Sequence, residues 1–102
     1  MRFERSDSFR ADYRRLKDHE KVMFRDAVRR MNDAYEHRGD HSLPAWPTSL
    51  RIKEVKGAQG ILEMTWSFSG HDGGATFEII DMTGEPGVRW RRIGGHRIFQ
   101  EP

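Results

Sequence analysis

The spacing of apolar residues changes once along this chain, from a helical period in its first half to strict alternation in its second. Before residue 39 the apolar side chains recur every three or four positions, as on one face of a helix. After residue 50 they alternate, and the clearest stretch, Leu62 to Phe68, has Leu, Met, Trp and Phe on one face and Glu, Thr and Ser on the other. This order of patterns is typical of an α+β fold.

The first half predicts a short strand and two helices. Residues 1–6 alternate weakly, with Phe3 inward, and Ser6, Asp7 or Ser8 offers a helix N-cap because a short side-chain oxygen accepts from free amides of the first turn. The apolar stripe of the first helix is Phe9, Tyr13 and Leu16. The second helix, at about residues 19–37, has a stripe of Phe24, Ala27, Val28, Met31 and Tyr35.

The second half predicts an antiparallel meander. A loop at 39–48 contains two prolines, which disfavour helix in the residue before them. Strands are predicted at 50–55 and 61–68, around Ala75, Phe77 and Ile79, and at 88–93, with glycine-rich turns at 57–60, 69–74 and 84–87. We therefore predict a single α+β domain over residues 1–102, with two helices on one face of a four- to five-stranded, mainly antiparallel sheet.

Composition excludes several classes of protein. Three Trp and six Phe supply a core even though 33% of the residues are charged, which argues against disorder. There is no cysteine, so disulfides, thiolate metal sites and cysteine nucleophiles are excluded. No apolar run approaches the roughly 18 residues of a membrane-spanning helix, and the N-terminal residues are not those of a signal peptide. We predict a soluble, cytoplasmic protein.

The basic residues gather in two places after Asp40, although the formal net charge is only +2. Before that point they are interleaved with Asp and Glu, as on a solvated helix. The later clusters are Arg51, Lys53 and Lys56, and then Arg89, Arg91, Arg92 and Arg97 within and around the segment WRRIGGHRIF. Strand alternation places cations of both clusters, together with Glu63 and Glu78, on the sheet face away from the helices.

This charged face has two interpretations. Glu63 and Glu78 beside the cations form ordinary cross-strand ion pairs in one of them. In the other, the arginines bind a phosphodiester and His96, the histidine of the basic C-terminal cluster, transfers protons. Metal-independent RNA cleavage fits the second: a base removes the 2′-hydroxyl proton, that oxygen attacks phosphorus, and an acid protonates the leaving oxygen.

Other motifs predict no cofactor and no metal. His37 and His41 are four residues apart, but Gly39 between them ends the helix that would pair them as ligands. A phosphate-cradling glycine loop and a Ser-His-Asp arrangement are both absent from the sequence. Trp46, between Pro44 and Pro47, is predicted to pin its loop to the core rather than to stack on a base.

Four segments in this order resemble the RelE/ParE superfamily of toxins from toxin-antitoxin modules, and together they cover nearly the whole chain. They are SFRADYRRL, LRIKEVKG followed by GILEMTW, DGGATFEI and the closing WRRIGGHRIF. The resemblance implies a type II toxin, most simply a RelE-like ribosome-dependent mRNA endoribonuclease. Its partners would be a cognate antitoxin protein, the ribosome and mRNA, with no membrane and no small-molecule cofactor.

Charge clustering and the order of the resembling segments together suggest roles for individual residues. Arg91, Arg92, His96 and Glu63 are the expected catalytic set, and Arg51, Lys53, Lys56, Arg89 and Arg97 the expected RNA-binding set. The chain departs from the family pattern, because Glu63 and Thr65 stand where strand lysines are usual, and Gly74 or Ala75 stands where an arginine is usual. Two alternatives therefore stay open: a ParE-like inhibitor of DNA gyrase, and a non-toxic protein-binding module of the same fold.

Overall fold

The computed structural model describes residues 1–39, 43–68 and 71–102, including every side chain in these ranges except those of residues 66–68, 71, 72 and 96. Strand β1, Arg2–Arg5, comes first and is followed by helix α1, Asp7–Arg14, and helix α2, Asp18–Glu36. The predicted strand and both predicted helices are confirmed. No helix in these described ranges is long and apolar enough to cross a membrane.

The remaining strands are β2, Lys53–Glu54; β3, Leu62–Phe68; β4, His71–Met82; and β5, Glu85–Gly94. They form one sheet with β1, in the order β1-β5-β4-β3-β2. All neighbours are antiparallel except β1 and β5, which run parallel. The chain is therefore an α+β fold with its N-terminal helices packed on a mainly antiparallel sheet, as the periodicity predicts.

The core lies between the helices and one face of the sheet. The predicted stripes supply the helical side, with Phe9, Phe24 and Met31 fully buried. The sheet supplies its alternating apolar residues, and Trp90 of β5 lies at the centre with rings of β1, α1, α2 and β4 around it: Phe3, Phe9, Phe24 and Phe77. Trp46 packs edge-on against Phe77 with ring centroids 6.4 Å apart, so it pins its loop to the core as predicted.

Three boundaries differ from the predictions. The strand predicted at 50–55 is shorter in the structure: a 3₁₀ turn, Thr48–Leu50, comes first, and the strand that follows has only two residues. Arg51 separates the two elements because it takes a left-handed φ of 50°. β4 begins at His71, so Gly73 and Gly74, which were predicted to form part of a turn, pair with β3 instead. The last hairpin turns at Thr83 and Gly84, both with positive φ, as two-residue hairpins prefer.

Ser6 connects β1 to α1 and is the N-cap of that helix. Its Oγ accepts a hydrogen bond from the Phe9 N–H at 3.1 Å and donates one to the Arg91 carbonyl at 2.9 Å. We expect Ser6→Ala to lower the free energy of unfolding by about 1 kcal/mol, the usual cost of losing a cap. Urea unfolding followed by circular dichroism measures this. Ser8→Ala, an exposed position of the same helix, is the control, and an equal loss there would contradict the cap assignment.

Candidate functional site

Three arginines of β5 share the sheet face that lies away from the helices. Arg89 alternates with the buried Val88 and Trp90. A bulge follows, because Phe77 pairs with Trp90 but the preceding Thr76 pairs with Arg92, leaving Arg91 as the extra residue. The bulge turns Arg91 and Arg92 to the same side, so the site gains a cation that strict alternation would have buried.

Each of these arginines contacts a carboxylate. Arg89 bonds Glu4 Oε1 at 2.9 Å and Glu78 Oε1 at 3.1 Å, and Arg91 reaches Glu78 Oε2 at 3.5 Å. The hydrogen bonds that Arg89 donates to Glu4 and Glu78 raise the pKa of its guanidinium above the ordinary value. The side chains of Arg89 and Arg91 remain 41% and 37% exposed. The predicted cross-strand ion pairs are therefore present, in an exposed setting where such pairs contribute little stability.

Arg92 is held differently, by a nearly buried carboxylate from helix α1. Asp12 accepts from Arg92 Nε at 2.6 Å and from Nη2 at 3.2 Å, and it also accepts from the Ile93 N–H at 3.2 Å. Its side chain is only 9% exposed. The hydrogen bonds that Arg92 donates to Asp12 raise the pKa of its guanidinium. β1 pairs with β5 only as far as Trp90, so Asp12 and Ser6 bond the backbone of the strand beyond that point.

The chain crosses this face again after β5. A 3₁₀ turn, His96–Phe99, reverses its direction, and residues 99–102, here named the strap, lie over the middle of the sheet. The Pro102 oxygen accepts from Thr76 Oγ1 at 3.2 Å and from Arg91 Nε at 2.9 Å. The Glu101 carbonyl accepts from Arg92 Nη1 at 3.2 Å. The sheet face away from the helices is thus partly covered by the chain's own backbone.

Gly74 explains how the strap lies so close to the sheet. A Cβ at this position would be 2.7 Å from Cζ of Phe99 and 2.5 Å from the Met64 carbonyl oxygen. Only glycine leaves room for both groups, so the aromatic ring lies directly on the backbone of β4. Where the resemblance predicts an arginine on β4, this chain therefore has the ring of Phe99.

Two cavities adjoin the arginines. One, of about 230 Å³, lies between the start of α1 and the end of the strap and is lined by Ser6, Ser8, Arg89, Arg91, Arg92, Glu101 and Pro102. The other, of about 440 Å³, lies beyond the end of α1, where Arg97 and Arg15 share the lining with the Asp12–Arg92 pair. The structure therefore brings four of the predicted cations, Arg89, Arg91, Arg92 and Arg97, to one end of β5.

The other predicted cations lie at the opposite edge of the sheet. Lys53 of β2 bonds Glu63 of β3 at 3.5 Å, and Glu63 itself is nearly buried. Cross-strand pairing continues from Glu63 to Thr76 and then to Arg92, so Glu63 is two strands, or about 10 Å, from the arginines. Arg51 and Lys56 are exposed on either side of β2. The two predicted clusters do not meet in one site.

The backbone of His96, the predicted proton carrier, lies beside the end of the sheet that carries the arginines. His96 begins the 3₁₀ turn that follows β5, and its side chain is outside the described part of the structure. His41 lies outside the described residues. That His37 and His41 do not pair as metal ligands therefore stays a prediction from the sequence.

The sequence did not reveal two residues of this site, and it did not reveal the strap. Asp12 lies among alternating helical charges, and its place beside Arg92 depends on how α1 crosses β5. Thr76 is fully buried although it faces away from the core, because the strap covers it. Gly74 was the available signal for the strap, since a glycine inside a strand often marks a close approach by other groups.

The chain matches no protein-family model, no curated protein and no solved structure.

Proposed function

We propose that this chain is the toxin of a type II toxin-antitoxin module of the RelE/ParE kind. The support is the order of its elements, a short strand, two helices and an antiparallel sheet ending in a basic strand, together with the four resembling segments. A cognate antitoxin is then the expected protein partner.

Within that class we propose an RNA-directed toxin, a ribosome-dependent mRNA endoribonuclease acting without a metal ion. The observation that carries this proposal is the convergence of Arg89, Arg91 and Arg92 on one cavity, with the hydroxyl groups of Ser6 and Ser8 beside them. Guanidinium groups bind phosphate through paired, charge-assisted hydrogen bonds, and the exposed Ser8 hydroxyl adds a further donor.

The carboxylate partners of Arg89 and Arg91 do not prevent phosphate binding. Exposed ion pairs contribute about 0–1 kcal/mol, so a phosphate displaces Glu78 at small cost. Arg92 has a different role because Asp12 holds it in a nearly buried pair. We assign phosphate binding mainly to Arg91 and Arg89, and to Arg92 the stabilisation of charge from a fixed position.

The chemical steps need a proton carrier as well as cations. His96 remains the proposed acid or base because it follows the arginine strand and an imidazole titrates near neutral pH. Glu63 is about 10 Å from Arg92 and bonded to Lys53, so we propose that it orients Lys53 for contact with the RNA backbone rather than moving a proton. Arg51 and Lys56 extend that contact at the same edge.

The test is tightly controlled expression in a bacterium with mapping of new 5′ ends on translated mRNA. We expect codon-phased cuts that fall about 100-fold in Arg91→Ala and in His96→Ala, the usual scale for losing a charge-stabilising or proton-transferring group. Arg10→Ala, an exposed arginine of α1, is the matched control and should cut as the wild type does. Cleavage that is equal in Arg91→Ala and wild type would refute the assigned site.

A second candidate is a non-cleaving, protein-binding member of the same fold. One observation favours it: the positions of β3 and β4 nearest the arginines hold Glu63, Thr76 and Glu78, none of which is a cation. This candidate expects intact mRNA and normal growth. Arrested growth with intact mRNA and inhibited supercoiling would instead identify a gyrase inhibitor.

A further inference from the structure

The strap contacts the arginine face through an acceptor oxygen that two donors share. Thr76 Oγ1 and Arg91 Nε come from neighbouring strands, and both donate to the Pro102 oxygen, at 3.2 and 2.9 Å. Two donors converging on one oxygen are the arrangement that binds an oxyanion. Thr76 is fully buried in this state, so its hydroxyl has no access to solvent while the strap is in place.

We propose that Thr76 and Arg91 form an anion subsite for a phosphate oxygen of RNA, and that the strap occupies this subsite in the free protein. The proposal rests on the RNA-directed function above and names one new binding residue, Thr76. The Pro102 oxygen of the strap accepts from both donors at the place that a phosphate oxygen would take. Charge-assisted hydrogen bonds from a guanidinium to the anionic oxygens of a phosphodiester are strong, so an RNA phosphate competes with the strap for these donors.

Phe99 anchors the strap to the sheet. The backbone acceptors of the strap bond the fully buried Thr76 as well as Arg91 and Arg92, which are partly exposed and whose bonds exchange readily with water. The ring of Phe99 is packed on Gly74 and is the apolar anchor of the segment. Shortening this side chain therefore weakens the strap without removing any donor of the subsite.

The first experiment titrates the ¹⁵N-labelled full chain with inorganic phosphate at constant ionic strength, observing the Arg91 Nε signal by NMR. We expect Phe99→Ala to bind phosphate at least about tenfold more tightly than the wild type, the factor that about 1.4 kcal/mol produces. Adding Thr76→Val should remove most of this gain, and Thr76→Ser, which keeps the hydroxyl, should retain it. Gln100→Ala, an exposed position of the strap, should behave as the wild type.

Equal phosphate affinity in Phe99→Ala and wild type would overturn the proposal, as would a gain that Thr76→Val leaves intact. Circular dichroism verifies that each variant is folded, and the Thr76→Ser comparison keeps the role of the hydroxyl testable if the valine variant is not.

A second arm separates this proposal from the proposed function. The same variants are titrated with a single-stranded RNA oligonucleotide carrying 2′-O-methyl groups, which block cleavage. Tighter phosphate binding in Phe99→Ala with no RNA binding and no mRNA cleavage would support the subsite and refute the RNA-directed function. Codon-phased cleavage by the wild type with no phosphate gain in Phe99→Ala would support the function and refute the strap as its competitor.

Discussion

Trp90→Ala is expected to lower the free energy of unfolding by about 3–5 kcal/mol, the usual cost of truncating a buried aromatic residue. Trp90 is 1% exposed, and four rings from four different elements surround it at centroid distances of 4.9 to 6.1 Å. Alanine would leave a cavity where both helices, β1 and β4 meet, and partial collapse cannot fill it from all sides. Such a loss is a large share of the about 5–15 kcal/mol that stabilises a typical domain.

The measurement is urea unfolding followed by far-ultraviolet circular dichroism at constant protein concentration. Trp46→Ala is the matched control, because Trp46 is only half-buried and meets the core edge-on at the ring of Phe77. We expect it to cost less than half as much. Equal losses from the two replacements would mean that the core is not centred on Trp90.

Asp12→Ala is expected to lower the free energy of unfolding by about 3 kcal/mol, at the low end for breaking a buried ion pair because Arg92 keeps some contact with water. Two groups lose their acceptor: the Arg92 guanidinium and the Ile93 N–H. A buried donor without a partner is costly, and here one of the two carries a full charge.

Asp12→Asn separates these contributions. The amide keeps an acceptor oxygen for the Ile93 N–H but loses the charge that pairs with Arg92, so we expect a loss of about 1–2 kcal/mol. Asp7→Asn, an exposed acid in the first turn of the same helix, should change stability by less than about 0.5 kcal/mol. An Asp12→Ala variant as stable as Asp7→Asn would show that α1 does not depend on this carboxylate to hold the end of β5.

The strap connects stability to the proposed activity. Gly74 and Phe99 make the same contact from two sides, and Arg91 and Thr76 share the oxygen at the end of the segment. The ring of Phe99 therefore covers Gly74, the position where the resemblance predicts an arginine. If the anion subsite is correct, weakening the strap increases phosphate affinity while leaving the buried core around Trp90 unchanged.

The sequence predicted the parts of the fold that local periodicity controls. The stripe of Phe24, Ala27 and Met31 defined α2, and alternation in Leu62 to Phe68 defined β3 and its buried face, because a helix and a strand repeat their side chains at different intervals. The serine before α1 was among the predicted caps, since capping depends only on neighbouring amides.

Boundaries were less predictable where the backbone departs from regular geometry. Arg51 with its left-handed φ ended the predicted strand at 50–55, and Thr83 with Gly84 closed the last hairpin earlier than the Gly-Glu-Pro-Gly motif suggested. Both positions depend on how neighbouring strands meet, and short-range preferences for turns do not contain that information.

The candidate site was likewise predictable only in part. Sequence alone identified the basic row of β5 and the acids opposite it, because strand parity puts Arg89 and Glu78 on one face whatever surrounds them. Only the tertiary structure decided that a bulge turns Arg92 to that face, that Asp12 reaches it from α1, and that residues 99–102 return to cover Thr76. The physical reason is that these contacts join residues 26 to 80 positions apart, and side-chain periodicity along one element does not determine which distant element packs against it.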